Sequence, residues 1–423
     1  MTLIVLLGCV VLFAAWAQCL DVNDLWNKVT WTGALLGAAI GVVVADWNVW
    51  AGLLIAMVFL SQSMAVWVVG GPVEMTVPTV TGTPRVLKNV MLMSGPMPSD
   101  VYRRTLIGAA VFAGAYAALA PQMQIGMVRP LLWVLASVGV GTGAWALYSW
   151  RKGRTYHEEW GRGLWVMHGH YLPNKYIDAG QNMPNHAESV AMVGLAALAG
   201  LAWMGDPWVL LLALFPLATL LLCGGVKVTQ GLLHGAVLAA AMLLVWNWRI
   251  GAVAVAACPL AVLGIGWWHA GGRADFDSFR LWLWRESLVR WWRLGWTARV
   301  LGLGTGRYTE FLVGANHPGA NNATFTSAHN EYVQQTVEHG VVGLVVMVAY
   351  LVDALWRTGT GLPEQQAVFL MGATLCSVAL VNFPWTLMHE LPVLSRPNGP
   401  PEHIGSPALI AMSLVVALLA EVR

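Results

Sequence analysis

Long apolar windows, repeated along nearly the whole chain, constrain this sequence more than any other feature. A helix needs about 20 apolar residues, at about 1.5 Å rise per residue, to cross the hydrocarbon core of a bilayer. Hydropathy along the chain predicts about twelve such windows. We therefore expect an all-α, polytopic transmembrane protein in which residues 1–423 form a single integral membrane domain. The windows cover residues 3–20, 29–46, 49–70, 104–120, 130–150, 188–204, 207–223, 230–248, 251–269, 341–356, 364–384 and 405–421.

The composition supports this expectation and excludes several other classes of protein. Charged residues make up 10% of the chain, whereas an average soluble protein has about 25%. The net charge of +2 gives no field that would favour nucleic acid, so we expect no nucleic-acid partner. The five cysteines form no CxxC pair. We expect no zinc site, no disulfide framework and no cofactor.

Four connections between windows are long enough to hold a functional site. Each follows an odd-numbered window, so all four are predicted to lie on one side of the membrane. The positive-inside rule would place that side in the cytoplasm, because all lysines and arginines except Arg129, Arg249, Arg357 and Arg423 lie there. The rule is weakest for long loops and where arginines bind a ligand. The connections are 71–103, 151–187, 270–340 and 385–404.

The connection 270–340 begins with a pattern typical of an amphipathic helix. Apolar residues recur at helical spacing on one face, and charged residues lie roughly opposite. This pattern predicts a helix in the membrane interface, with rings at the acyl boundary and guanidinium groups among headgroups. The predicted apolar face holds Leu281, Trp284, Leu288, Trp291 and Trp292, and the polar face holds Glu286, Arg290 and Arg293.

Two further motifs follow in the same connection. The glycine-rich turn 302–306 precedes Arg307, and such a turn can cradle a phosphate. A dinucleotide-binding motif is excluded, because no strand precedes the turn. The run from Ser327 leads directly into the next window, with Ser327 as the predicted helix N-cap. His329 and Asn330 are therefore predicted to lie at the membrane surface.

These motifs together resemble the O-antigen ligase and polymerase (Wzy-like) superfamily of bacterial membrane glycan transferases. The family pattern is an Arg shortly before a Trp, a glycine-rich turn, His-Asn followed by an acidic residue, and Gly-x-x-Gly at the start of a span. A Pro-Asn-His element at the start of an earlier span is similar too. The matching positions are Arg280, Trp284, 302–306, His329, Asn330, Glu338, Gly340 and Gly343, with Pro184, Asn185 and His186 upstream.

One element departs from the family pattern. The family has Ser-Arg-Gly at the start of a mid-chain span, whereas this chain reads Thr229-Gln230-Gly231. Gln230 thus replaces the arginine. We expect Lys227, about one helical turn earlier, to supply the positive charge in its place.

The resemblance implies glycan transfer from a polyprenyl-diphosphate carrier onto an acceptor hydroxyl, by a metal-independent mechanism. The acceptor would be a glycan, a lipid or a protein, and membrane lipid would surround the enzyme. Family members work in the bacterial inner membrane with the active site facing the periplasm. We favour that orientation over the charge rule, because an arginine-rich outer face can bind diphosphate. Residues 270–340 would then form a periplasmic catalytic loop.

The resemblance also assigns roles to residues. A guanidinium binds phosphate oxygens through a bidentate fork, and an imidazole with a pKa near 6.5 suits proton transfer from a hydroxyl. Arg280 is the expected diphosphate ligand. His329 is the expected general base, or alternatively a donor to the diphosphate. Further diphosphate contacts are expected from Lys227, Gln230 and Arg307, and supporting roles from Asn330, Glu338, Trp284, Asn185 and His186.

Several alternatives remain open at this point. A repeat-unit polymerase and a protein O-oligosaccharyltransferase share the ligase chemistry, and we favour the ligase. The spacing Asp275-Phe276-Asp277 is typical of Mg²⁺ or Mn²⁺ sites in sugar-nucleotide transferases. A lipid or polysaccharide transporter is the alternative from another class. Transporters usually carry polar residues near the bilayer midplane, where this chain has mostly Ala, Val, Leu and Gly.

Overall fold

The fold is known here for about half of the chain. A computed structural model describes residues 116, 119–154, 177, 179, 184–222, 226–250, 278–304, 308–311, 328, 330–359, 361–379 and 407–422, and the backbone of 72–77 and 85–91. Side chains are not described at 184–186, 226–233, 278–281, 309–310, 407–411 and 413. The predicted windows 3–20, 29–46, 49–70 and 251–269, most of 104–120, and the connection 385–404 lie outside the described residues.

The described part is all-α apart from one small hairpin, and its long helices coincide with predicted windows. A 3-10 helix at Pro207–Ala213 runs directly into α3, so the window 207–223 is a continuous helical segment. The helices are α1 (Val128–Lys152), α2 (Pro184–Trp203), α3 (Leu214–Leu222), α4 (Val226–Trp246), α5 (Ser278–Trp292), α6 (Trp296–Leu301), α7 (Tyr308–Phe311), α8 (Glu331–Gly359), α9 (Pro363–Ala379) and α10 (Pro407–Leu419).

The hairpin lies in the expected long connection 71–103. Strand β1 (Pro72–Val77) pairs antiparallel with β2 (Arg85–Met91), with Pro72 opposite Met91 and Val77 opposite Arg85. Both segments are rich in valine, which favours extended backbone. The connection 71–103 therefore contains two strands that hydropathy did not predict.

Local signals explain where several helices begin and end. Gly153 ends α1 with φ of 68°, and its amide donates to the carbonyl of Trp150 at 3.1 Å. A left-handed glycine is the commonest way to end a helix. Pro363 occupies the first position of α9, where its missing amide costs nothing.

The core lies where α1 and α2 cross, with α9 and α10 packed against them. At the crossing, a Cβ added to Gly139 would lie 2.7 Å from the Cα of Gly194, and one added to Gly194 would lie 2.6 Å from the Cα of Gly139. The two backbones are therefore in direct contact, as small residues allow in packed membrane helices. The buried side chains around this contact include Leu131, Leu132, Leu135, Val190, Val193, Leu198, Val368, Met371 and Val415.

Polar contacts join helix ends at the end of the bundle where α1 begins. They link the start of α1 to the segment after α2, the end of α2 to the start of α9, and the end of α8 to the segment after α10. Helices α1 and α2 therefore run in opposite directions, and so do α8 and α9 and also α9 and α10. The contacts are Arg129 with Asp206 at 2.9 Å, Trp203 Nε1 with Gln366 Oε1 at 2.9 Å, and Arg357 with Glu421 at 2.9 Å.

Two helical segments are long and apolar enough to cross a membrane, judged by length and composition alone. They are Ile125–Lys152 and Glu331–Gly359. The second carries an exposed apolar stripe at helical spacing, which ends in a tryptophan that is 76% exposed. Exposed apolar stripes of this kind mark a surface that water does not normally cover. The stripe consists of Val341, Val345, Val348, Val352 and Trp356.

The helices expected within 270–340 are present, but the predicted face of α5 is wrong. Trp284 and Trp291 are half-buried and pack inward beside Leu283, whereas Leu288 and Trp292 are exposed. Some residues of the expected apolar face therefore pack against the protein, and others are exposed on its surface. Periodicity alone could not separate them, because the apolar residues of α5 cover more than half of its circumference.

The contact between Gly139 and Gly194 gives a test of the core. We expect Gly139→Ala and Gly194→Ala each to lower the free energy of unfolding by about 1 to 3 kcal/mol, because a new methyl group must push two backbones apart. Gly141→Ala is the control, since a Cβ at Gly141 meets nothing within 4 Å. Thermal unfolding of the purified protein in detergent measures the difference. Equal melting temperatures for all three variants would contradict the crossing.

Candidate functional site

Side chains of α5 and α8 hold the backbone on the N-terminal side of His329. The indole Nε1 of Trp284 donates to the carbonyl of Ala328 at 2.9 Å. The amide of Ala328 donates to Oε1 of Gln334 at 3.1 Å. Both backbone polar groups of Ala328 are thus bound by side chains from two different helices. Ala328 itself is fully buried.

The residue that follows His329 caps α8. Oδ1 of Asn330 accepts from the amide of Val333 at 3.0 Å, which is the hydrogen bond expected of an N-cap. The prediction of Ser327 as N-cap is therefore wrong, because α8 begins at Glu331 and Asn330 makes the capping contact. His329 lies outside the described residues, but its neighbours on both sides in sequence are held in place.

Glu338 ties α7 to the first half of α8. Its Oε1 accepts from the amide of Tyr308 at 3.2 Å and from Nε2 of Gln334 at 3.3 Å. The hydroxyl of Tyr308 lies 2.6 Å from Oγ of Ser287 on α5. Burial raises the pKa of Tyr308 far above its usual range, the nearby charge of Glu338 acts in the same direction, and the Ser287 hydrogen bond opposes it. Tyr308 therefore stays a neutral, buried link between the two helices.

The glycines of the 302–306 turn have a structural use. Helix α8 breaks at Gly340, where φ is 67°, and a break frees carbonyls of the preceding turn. The amides of Leu303 and Gly304 donate to the carbonyls of Val337 and Glu338 at 3.1 and 2.9 Å. The amide of Gly302 donates to Ala298 within α6.

These hydrogen bonds require glycine on both sides of the contact. Gly302 has φ of 84°, and a Cβ added to it would lie 2.1 Å from the carbonyl oxygen of Glu338. A Cβ added to Gly340 would lie 2.3 Å from the carbonyl oxygen of Val300. The interpretation of this turn as a phosphate cradle is therefore wrong for 302–304, because their amides bind backbone carbonyls. Thr305, Gly306 and Arg307 lie outside the described residues.

Arginines on α5 and α6 take two different environments. Arg290, predicted on the polar face, is partly buried and donates to Glu286 at 2.7 Å and to the carbonyl of Phe311 at 3.2 Å. The guanidinium of Arg299 lies 5.2 Å from the ring centre of Trp292 and 5.7 Å from that of Trp296. Both ring distances are within the range of cation–π attraction.

The structure brings several predicted site residues together and leaves others undescribed. Arg280 lies on α5 one turn before Trp284, and Trp284, Asn330 and Glu338 all belong to the same packed unit. Asn185 and His186 lie in the first turn of α2, and Lys227 and Gln230 in the first turns of α4. The side chains of those four residues and of Arg280 are not described, and His329, Arg307, Asp275 and Asp277 lie outside the described residues.

A buried polar chain across α2, α4 and α9 was not predicted as part of a site. Nε2 of His234 lies 3.5 Å from Oε1 of Glu188, and its Nδ1 lies 2.8 Å from Oγ of Ser377. The signal that could have found the chain is the presence of ionisable residues within two apolar helices.

Comparisons with known proteins leave the family open. No protein-family model matches the chain, and no curated protein matches it. The likeness to the O-antigen ligase and polymerase superfamily therefore stays a prediction from motifs. Among the residues that the structure describes, no group of three or more His, Cys, Asp or Glu side chains could hold a metal ion.

The paired glycines give a test of the site's framework. We expect Gly340→Ala to destabilise the protein by about 1 to 3 kcal/mol from its backbone at φ of 67° and ψ of −167°, a region confined almost to glycine, and by about 1 to 3 kcal/mol more from the clash with Val300. Gly153→Ala is the control for a positive φ alone, because Gly153 has φ of 68° and ψ of 18° and a Cβ there meets nothing within 4 Å. Denaturant unfolding compares the two variants. Equal losses of stability would mean that neither the ψ of Gly340 nor the contact with Val300 adds to the cost.

Proposed function

We propose that the protein is a membrane glycosyltransferase that moves a glycan from a polyprenyl-diphosphate carrier onto an acceptor hydroxyl, as O-antigen ligases do. One observation carries the proposal beyond the motif resemblance. Trp284, one turn after Arg280, donates to Ala328, the residue before His329. Arg280 and His329 are 49 positions apart in sequence. One hydrogen bond links the turn of α5 that follows Arg280 to the residue that precedes His329.

The chemistry needs a cation and a base near one another. The acceptor oxygen bonds to the anomeric carbon as the bond from that carbon to the phosphate oxygen breaks. The leaving diphosphate takes the bonding electron pair, and Arg280 stabilises the charge that develops on it. The acceptor hydroxyl loses its proton to His329. Lys227, Gln230 and Arg307 are further contacts for the diphosphate, and no metal is required.

A membrane setting fits the donor. Apolar side chains on α8 are exposed along one stripe, and Trp292 and Trp296 on the neighbouring segment are 68% and 73% exposed. Tryptophan rings favour the boundary between lipid and water. A donor whose polyprenyl tail stays in the bilayer would present its diphosphate at that boundary. We place the active site on the periplasmic face of a bacterial inner membrane, as the resemblance implies.

The first test uses the purified protein in lipid with a polyprenyl-diphosphate-linked oligosaccharide, without and then with a candidate lipid acceptor. A single new product that needs the acceptor supports the ligase. A ladder of longer lipid-linked chains without acceptor would support the polymerase instead. A donor that is moved across the membrane but stays covalently unchanged would replace the proposal with a transporter.

The two proposed catalytic residues can then be tested directly. We expect Arg280→Ala to lower kcat about 10²- to 10³-fold, because one charge-stabilising group is lost. We expect His329→Ala to lower it about 10²- to 10⁴-fold, because the base is lost. Arg293→Ala, at an exposed arginine just after the same helix, is the control. Near-normal product from either catalytic variant would remove that residue from the mechanism.

The link between the two positions has its own prediction. Trp284→Phe removes the donor to Ala328 and should lower the transfer rate about tenfold or more, since a small displacement of a reacting group costs rate. Trp291→Phe is the matched control, because its indole N–H makes no hydrogen bond among the described residues. Steady-state transfer rates compare them. A Trp284→Phe variant as active as Trp291→Phe would mean that the link has no part in catalysis.

Metal independence is tested with a chelator. We expect the transfer rate to be unchanged in excess EDTA, because Arg280 supplies the positive charge that a metal would provide. Loss of transfer that Mn²⁺ restores would instead assign a role to Asp275 and Asp277.

A further inference from the structure

Three polar residues from three different helices form a buried chain inside the bundle. Glu188 lies on α2, His234 on α4 and Ser377 on α9. Glu188 and His234 are 0% exposed and Ser377 is 3% exposed. The imidazole bridges the other two, at 3.5 Å from the carboxylate and 2.8 Å from the hydroxyl. The three helices are thus joined at one level by a single side chain.

The two contacts of the imidazole differ in kind. Nδ1 of His234 and the hydroxyl of Ser377 share a hydrogen bond, whose direction depends on which imidazole nitrogens carry a hydrogen. Nε2 lies 3.5 Å from Oε1 of Glu188, an ion-pair distance when the imidazole is protonated, without a hydrogen bond between these two atoms. Both contacts are buried, so together they restrict the position of the imidazole between α2 and α9.

A gain in stability alone does not explain why these three polar side chains are buried together. Removing a carboxylate and an imidazole from water is costly, and their attraction offsets this only in part. Ionisable residues inside apolar helices are instead usual where they position or bind something. We therefore expect these three buried residues to have a role beyond packing.

The places of Glu188 and His234 in their helices indicate which residues they could position. Asn185 lies three residues before Glu188, and Gln230 lies four residues before His234, so each occupies a register position one turn nearer the start of its helix. Lys227 lies one further turn back. The predicted donor contacts of α2 and α4 are therefore at the two helix starts that the Glu188–His234 contact joins.

The residue before Ser377 links the last turn of α9 to the start of α8. The carbonyl of Cys376, next to Ser377, accepts from the hydroxyl of Tyr332 at 3.2 Å. Tyr332 is the second residue of α8 and lies three residues after His329. The same level of the bundle thus joins the starts of α2, α4 and α8 to the last turn of α9.

We infer that Glu188, His234 and Ser377 are positioning residues that hold the starts of α2 and α4 against the last turn of α9, so that Asn185, Lys227 and Gln230 at those helix starts bind one diphosphate. This inference rests on the proposed function and deepens it. The ligand is the diphosphate group of the donor carrier. None of the three residues touches the reacting atoms.

The experiment measures donor binding and turnover separately. Undecaprenyl diphosphate is titrated into the full-length protein in lipid nanodiscs, and KM for the lipid-linked oligosaccharide and kcat are measured in the transfer assay. We expect Glu188→Gln and Ser377→Ala to weaken diphosphate binding and raise KM by about tenfold, as loss of a supporting contact does in other sites. We expect kcat to change much less.

Matched variants separate positioning from simple loss of stability. Thr374→Val removes a buried hydroxyl on the same helix that donates only to the carbonyl of Leu370, one turn earlier. Glu421→Gln removes a buried carboxylate at the opposite end of the bundle, where it pairs with Arg357. These variants should lower the melting temperature as much as the test variants do but leave KM unchanged. Ser377→Thr keeps the hydroxyl, so its KM should equal that of the wild-type protein.

A double variant keeps the test decisive if a single change unfolds part of the protein. Because both partners act through His234, Glu188→Gln combined with Ser377→Ala should raise KM less than the product of the single effects. Independent, multiplicative effects would overturn the inference, as would test variants whose KM matches the controls. Wild-type protein that neither binds the diphosphate nor transfers the glycan would overturn the proposed function and this inference with it.

Discussion

The backbone hydrogen bonds between 303–304 and 337–338 are the contact on which the rest of the described site depends. Breaking α8 at Gly340 exposes carbonyl groups inside a packed, apolar part of the chain, where each unsatisfied group costs several kcal/mol. The amides of Leu303 and Gly304 meet that demand. The residues that follow α6 are thereby joined to α8 through the main chain.

Near this contact, a set of hydrogen bonds fixes the polar side chains in the first turns of α8. Glu338 lies beside the break and reaches back to Tyr308, while Gln334 reaches Ala328 and Trp284 binds the same residue from the other side. Each hydrogen bond has a partner that another hydrogen bond already holds. The start of α8 is therefore held by hydrogen bonds to both α5 and α7, a framework that the proposed catalysis would need.

Sequence predicted the parts of this fold that follow from one-dimensional pattern. The helices at 128–152, 331–359 and 363–379 coincide with the windows 130–150, 341–356 and 364–384 that hydropathy predicted, and helical spacing predicted short helices in 270–340. The inward turn of Trp284 and the structural use of Gly302 were not predicted, because both depend on which partner packs against α5 and α6. The same reason hid the contact between Glu188 and His234, whose residues lie 46 positions apart. Asn330 replaced Ser327 as N-cap because the tertiary contacts of Ala328 decide where α8 can start.

The length of the exposed stripe on α8 has a consequence for the surrounding lipid. From Val341 to Trp356 the helix rises by about 22 Å, whereas the hydrocarbon layer of an ordinary bilayer is about 30 Å thick. The preceding turns of α8 are covered by protein and carry buried polar side chains. If α8 spans a bilayer, the hydrocarbon layer must therefore thin beside it, or acyl chains must reach the level of those buried polar turns.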